Sequence, residues 1–252
     1  MTAGRLTVVG VGPGRPDWCL PAVTERLLAA TDLVGYGPYL DLVPHRVGGR
    51  RHPSDNRMEA ERAQAALELA ARGADVVVVS SGDPGVFAMA SAVIEVLDEG
   101  GRDHAGVEVE VLPGITAAQA LASRVGAPLG HDFCVISLSD VLKPWAVIER
   151  RLDAAAGADF VLALYNPISR HRPWQLGRAI EVVRRHRSAA TPVAVGRQVG
   201  RPDESVGVVA LADLEPASVD MSTVLVVGSS TTRVVADRPL GSSLYTPRRY
   251  GA

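Results

Sequence analysis

Val76-Val77-Val78-Val79-Ser80-Ser81-Gly82-Asp83-Pro84-Gly85-Val86-Phe87-Ala88-Met89-Ala90 is the stretch whose reading decides the fold. Four consecutive valines after Asp75 predict a strand buried on both faces, and Ala88 to Leu97 reads as a helix. Asp83 stands at an N-cap position and Pro84 at a first helical position, so the backbone is expected to turn abruptly beside exposed amides. A corner of this kind at the carboxyl edge of a parallel sheet is a natural ligand site. The plain alternative is that Asp83 only caps its helix.

Working outward, strands and helices alternate. Leu6–Val9, Leu33–Tyr36, Val76–Ser80 and Val107–Leu112 read as strands, separated by helices over Leu20–Ala30, Met58–Arg72 and the segment after Asp83. This order implies a parallel sheet with helices on both faces, ending where Pro113-Gly114 breaks the pattern. A boundary there divides the chain into 1–113 and 114–252. Beyond it, helices are expected over Thr116–Ser123, Pro144–Ala156 and Trp174–His186, with strands Phe133–Leu138, Phe160–Tyr165 and Pro192–Arg197. Ser205–Leu211 and Thr223–Val227 are joined by a stretch too short for a helical crossover, so they are expected to pair antiparallel and make that sheet mixed. The fold class is therefore α/β, with an N-terminal parallel sheet and a C-terminal mixed sheet in two domains.

Composition excludes several functions. The 252 residues are 47% hydrophobic, with a net charge of −2, which argues against a general nucleic-acid binder. No apolar run approaches the ~20 residues of a membrane span, and the first residues lack a signal-type core, so a cytoplasmic setting without membrane attachment is expected. Cys19 and Cys134 stand far apart and support neither a disulfide framework nor a zinc cluster. Lys143 is the only lysine, which leaves little room for P-loop or Schiff-base chemistry. The basic charge is arginine, and His45 to Arg57 gathers four arginines and two histidines in what reads as a mobile loop. Arg50, Arg51 and Arg57 are its candidates for carboxylate binding, against the alternative of an ordinary solvated loop.

Val8-Val9-Gly10-Val11-Gly12-Pro13-Gly14-Arg15-Pro16 follows a strand and is trailed by Asp32 about twenty residues later, the outline of a dinucleotide site. Arg15 stands where the third glycine would be and Pro13 removes an amide, so a nicotinamide or flavin site is disfavoured. What remains is a tight turn that lets backbone approach another group closely.

Together with Gly82-Asp83-Pro84, Leu112-Pro113-Gly114-Ile115-Thr116-Ala117, Leu164-Tyr165-Asn166-Pro167 and Met221 to Gly228, this turn makes the chain resemble the tetrapyrrole (corrin/porphyrin) methyltransferase family over nearly its whole length. Gly35 to Leu42, Gly126 to Asp140 and Tyr245 to Tyr250 are most similar to members that methylate C17 of precorrin-3B, with ring contraction, in cobalamin biosynthesis. The resemblance implies a homodimer that holds S-adenosylmethionine in a cleft between two α/β domains and a precorrin-type tetrapyrrole in a trough opened by the first. It implies cofactor contacts from Pro13, Gly82, Asp83, Val86, Phe87, Thr116, Ala117, Tyr165, Asn166, Val199, Gly200 and Thr223. Each has a structural alternative: Thr116 as a helix cap, Phe87 as core, Asn166-Pro167 as a turn. No residue cluster marks a protein-bound metal. If ring contraction begins with loss of a hydroxyl proton, a general base is needed, and His131 and Asp132 are the candidates, with turn and packing roles as the alternative. The competing functions are a nicotinamide-dependent oxidoreductase, a non-catalytic tetrapyrrole carrier, and a methyltransferase acting on a cobalt-containing ring.

Overall fold

The computed structural model describes residues 4–44, 48–56, 58–100, 104, 106–235 and 243–250. The chain divides between Thr116 and Ala117 into two compact units.

In the first unit the order is β1 (Arg5–Gly10), α1 (Pro21–Ala29), β2 (Asp32–Tyr36), a single turn α2 (Gly37–Leu40), β3 (Arg50–Ser54), α3 (Glu59–Ala71), β4 (Asp75–Ser80), α4 (Met89–Glu99) and β5 (Glu108–Leu112). The strands form one sheet in the order β3-β2-β4-β1-β5, parallel throughout. The valine run is buried on both faces as its composition requires. Val76 and Val78 pack with Ala63, Leu67, Met89 and Val93 of α3 and α4, and Val77 and Val79 with Val23 and Leu27 of α1. Each such side chain contributes ~1.5–3 kcal/mol of transfer free energy. From β1 the chain crosses past β4 to reach β2, and from β4 it crosses past β1 to reach β5. The switch point, where ligands bind in open α/β sheets, thus falls between β1 and β4.

Two expectations change here. The helix after the valine run starts at Met89 with Ala88 as its N-cap residue, so Asp83 and Pro84 lie in the loop before it and Asp83 does not cap it. The arginine-rich segment is not all loop: Arg50–Ser54 is the edge strand β3, where Pro53 is tolerated because one side of the strand carries no partner.

The second unit runs α5 (Ala117–Val125), β6 (Gly126–Ala127), β7 (Phe133–Ser137), α6 (Trp145–Gly157), β8 (Val161–Tyr165), α7 (Gln175–Arg184), β9 (Pro192–Arg197), β10 (Ser205–Ala210), β11 (Thr223–Val227), β12 (Arg233–Val235) and β13 (Ser243–Tyr245). The main sheet has the order β10-β9-β11-β8-β7 and is mixed, as expected. Its pairing differs from the expectation, because β10 and β11 do not meet. β11 inserts between β9 and β8, antiparallel to both, and β10 pairs with the far side of β9. Ile148, Leu152, Leu176 and Ile180 of α6 and α7 pack with Leu162, Leu164, Leu225 and Val227. A small third sheet, β12-β13-β6, ties residues 243–245 to Gly126–Ala127, and the Thr246 hydroxyl reaches the Pro128 carbonyl at 2.6 Å. Among the described residues, no helix is long and apolar enough to cross a membrane.

Candidate functional site

At the carboxyl edge of the first sheet three loops are knotted through glycine. Gly12 and Gly82 exchange backbone hydrogen bonds at 3.2 and 2.8 Å, joining the loop after β1 to the loop after β4. A Cβ on Gly10 would strike the Gly82 carbonyl and come within 2.9 Å of the Gly114 nitrogen, and one on Gly114 would strike the Gly82 and Gly10 carbonyls. Close approach of backbone is therefore demanded at positions 10 and 114. Gly82 is glycine for another reason: its φ is +68°, while a Cβ there would find nothing nearer than Thr116 Cα at 3.8 Å. The Asp83 carboxylate accepts the Gly85 amide at 2.8 Å through one oxygen and the Gly114 amide at 3.0 Å through the other. It thereby fixes the β4 loop to the loop that carries Thr116. Phe87, at the outer end of this corner, is about half exposed and holds φ at +53°. An aromatic residue in the left-handed region is strained, and such strain concentrates at ligand sites. Pro13, Gly82, Asp83, Val86, Phe87 and Thr116 are thus gathered on the loops after β1, β4 and β5, three adjacent strands.

The second unit gathers its candidates in the same manner. Tyr165 ends β8, Val199 and Gly200 follow β9, and Thr223 opens the antiparallel β11, so all lie at one edge of the main sheet. The Tyr165 hydroxyl accepts the Ala118 amide at 2.7 Å, which ties the start of α5, and with it Ala117, to that edge. Asn166 holds φ at +51° and donates from Nδ2 to Ser137 Oγ at 3.0 Å. Gln198, beside Val199, is likewise left-handed at +49°. The Thr223 hydroxyl donates to Asp220 at 2.9 Å, and the Gly200 amide donates to Glu204 at 2.6 Å. Burial opposes ionisation of Asp220, but hydrogen bonds from Arg197, Thr223 and Ser222 outweigh it and hold the carboxyl below its ordinary value.

His131 and Asp132 lie elsewhere. They precede β7, at the end of the β7–β8 pair opposite Ser137 and Tyr165, a strand length of roughly 17 Å away at ~3.3 Å per residue. His131 Nδ1 accepts the Asp132 amide at 2.7 Å, and its ring meets Tyr250 edge-on with centroids 5.1 Å apart. Gly130 leaves room for the Thr246 carbonyl, which a Cβ would approach to 2.8 Å. These residues seat the C-terminal segment.

Arg57 lies outside the described residues, and the other two candidates on the arginine segment are engaged by the protein. Arg51 donates to the carbonyls of Leu40, Val43 and Pro44 at 2.6, 3.1 and 3.2 Å. Arg50 reaches both oxygens of Asp32, at 3.0 and 3.3 Å. Asp32 is fully buried and also meets His52 Nε2 and the Thr31 hydroxyl, each at 2.8 Å. Because Asp32 begins β2, it stands at the amino edge of the sheet. A dinucleotide's ribose, which binds at the carboxyl edge, is out of its reach.

The profile of the tetrapyrrole (corrin/porphyrin) methylases matches residues 5–215. The chain belongs to that family. It is 52% identical to a precorrin-3B C(17)-methyltransferase from Sinorhizobium, over 98% of this chain and 97% of that protein. It is 55% identical to the cobalamin biosynthesis protein CobIJ of Mycobacterium tuberculosis over 99% of this chain, but it spans only about half (49%) of that relative's length. The crystal structure of the methyltransferase CobJ is similar with a TM-score of 0.91 at 50% identity, covering 97% of this chain and 100% of that one. The Gly82-Asp83-Pro84 turn was legible as a motif. Gly10 and Gly114 as its packing points were not, because only the fold brings residues 10, 82 and 114 together.

Proposed function

We propose that this chain transfers a methyl group from S-adenosylmethionine to C17 of precorrin-3B or a closely similar corrin precursor, with contraction of the ring. It works as a cytoplasmic homodimer, as the family resemblance implies. The observation that carries this reading is near-full-length similarity, in both directions, to a protein named precorrin-3B C(17)-methyltransferase.

The first unit's corner fits the cofactor. Gly82 keeps a positive-φ turn free of a side chain, Val86 and Phe87 offer apolar wall, and Thr116 a hydroxyl. When bound, S-adenosylmethionine supplies an electrophilic sulfonium methyl. Methyl transfer to carbon depends on in-line placement, and orientation can contribute ~7–11 kcal/mol. The knot of Gly10, Gly82 and Gly114, latched by Asp83, holds those walls fixed. Tyr165, Asn166, Val199, Gly200 and Thr223, with Ala117, are the cofactor contacts that the family resemblance implies on the second unit. We assign no proton transfer to His131 or Asp132, whose contacts are with the C-terminal segment. Arg51 would have to leave the carbonyls it holds, and Arg50 stands with Asp32 at the amino edge of the sheet, so we assign both to the frame.

Incubation with precorrin-3B and methyl-labelled S-adenosylmethionine, followed by mass analysis, tests the reading. One labelled methyl group in a contracted ring is expected. Affinity for NADPH in place of S-adenosylmethionine, measured by calorimetry, would overturn it in favour of an oxidoreductase. Ring binding without cofactor binding would leave a carrier.

A further inference from the structure

Arg62 is a buried charged side chain inside the first unit, with Glu59 and Glu61 near it in charge but no carboxylate in ion-pair contact among the described residues. Only 5% of it is exposed, on the face of α3 that packs with the sheet. Its Nε donates to Ser54 Oγ at 2.7 Å, one terminal nitrogen to the Asp55 carbonyl at 2.7 Å, and the other reaches Met89 Sδ at 3.2 Å. It forms no ion pair with any described residue. A thioether is a weak acceptor, and burial pushes the guanidinium below its ordinary pKa despite the charges of Glu59 and Glu61.

The row of residues beneath it is unusual for the end of a buried sheet. Gly10 pairs in register with Ser80, and Tyr36 with Ser54. Ser80 follows Val76 and Val78 by alternation and so shares the α3 and α4 side. Its hydroxyl is buried, at 1% exposure, and has no hydrogen-bond partner among the described residues. Ser80 and Ser54 are separated in the sheet by β2 alone. One face of the carboxyl edge thus presents a buried cation on a weak acceptor and an orphaned hydroxyl, with the flexible Met89 between α4 and Arg62.

We propose that Arg62 and Ser80 form a carboxylate subsite that takes one acetate or propionate side chain of the tetrapyrrole, its oxygen replacing Met89 Sδ on the guanidinium. The proposal rests on the functional reading above and adds the residues that hold the ring's rim. Arginine offers two parallel N–H groups to a carboxylate, and a hydroxyl can donate to the same group.

The test compares the parent with Arg62→Met, Arg62→Lys and Ser80→Ala in turnover of precorrin-3B, with S-adenosylhomocysteine affinity measured by calorimetry on each. Expected are a KM for the ring raised about tenfold or more in Arg62→Met and several-fold in Ser80→Ala, partial recovery in Arg62→Lys, kcat within a few-fold, and unchanged S-adenosylhomocysteine affinity. An unchanged ring KM in folded Arg62→Met, or in Ser80→Ala should Arg62→Met not fold, overturns the subsite. Equal loss of ring and S-adenosylhomocysteine affinity also overturns it, as a general disturbance of the fold. Absence of turnover in the parent counts against the functional reading instead.

Discussion

Three glycines at one corner carry different constraints, and substitution separates them. Gly10→Ala drives a methyl group into the Gly82 carbonyl and toward the Gly114 nitrogen, neither of which can yield. Gly82→Ala meets no atom nearer than 3.8 Å and suffers only from its positive φ, a cost of ~1–2 kcal/mol. Urea unfolding should therefore rank Gly10→Ala well below Gly82→Ala in stability, and the reverse ranking would contradict the geometry. Asp83→Asn keeps one acceptor but turns an amide toward a half-exposed backbone N–H, with an expected loss of about 0.5–1.5 kcal/mol for the hydrogen bond. Because Asp83 latches the loop bearing Thr116, that variant should also bind S-adenosylmethionine more weakly; undiminished affinity would show that the latch is irrelevant to the cofactor. Sequence identified this carboxylate and its sharp turn. It could not show that the acceptor role is toward Gly114, thirty-one residues away, since a short-range motif shows only the neighbouring helix.

At the scale of elements, β3 shows where pattern reading stops. Arg50-Arg51-His52-Pro53-Ser54 has no β-branched or aromatic residue and resembles a polar loop, yet it pairs with β2 over all five positions. What makes it a strand is side-chain anchorage: Arg51 clamps three carbonyls at the end of α2 and just beyond it, while Arg50 and His52 converge on buried Asp32. Arg51→Gln should lower stability by ~1–3 kcal/mol, since a buried carbonyl left without a donor costs that much, while leaving the KM for the ring unchanged. A stable variant with weakened ring affinity would return Arg51 to substrate binding. The inserted β11 was unreadable for a different reason. Its residues were correctly bounded, but which neighbours a strand takes depends on contacts far away in sequence, and β9 won the place expected for β10. By contrast the valine run, buried from both sides, needed no distant information.

For the molecule as a whole, acid should unfold both units through the same kind of group. Burial opposes ionisation of Asp32 and Asp159, but hydrogen bonds from His52, Thr31 and Arg50 in the first case outweigh it, as do those from Ser230 together with the Arg187 charge in the second. Both carboxyls therefore lie below the ordinary value of 3.8. A carboxyl depressed in the folded state stabilises fully above its unfolded pKa and loses that contribution as pH falls through the folded one. The urea midpoint should hold near neutrality and fall below about pH 4. The double variant Asp32→Asn/Asp159→Asn should start lower and fall less; parallel curves would refute this origin. The inserted β11 has a further consequence, for synthesis on the ribosome. The first unit's five strands are all made by residue 112, whereas the main sheet of the second has a gap between β8 and β9 until residues 223–227 emerge. For that interval a nascent chain carries two open strand edges in the middle of a future core, which is where pairing with a neighbouring chain would begin. Released chains truncated before Thr223 should therefore be aggregation-prone and chaperone-dependent, and released chains that end after Gly228 far less sticky.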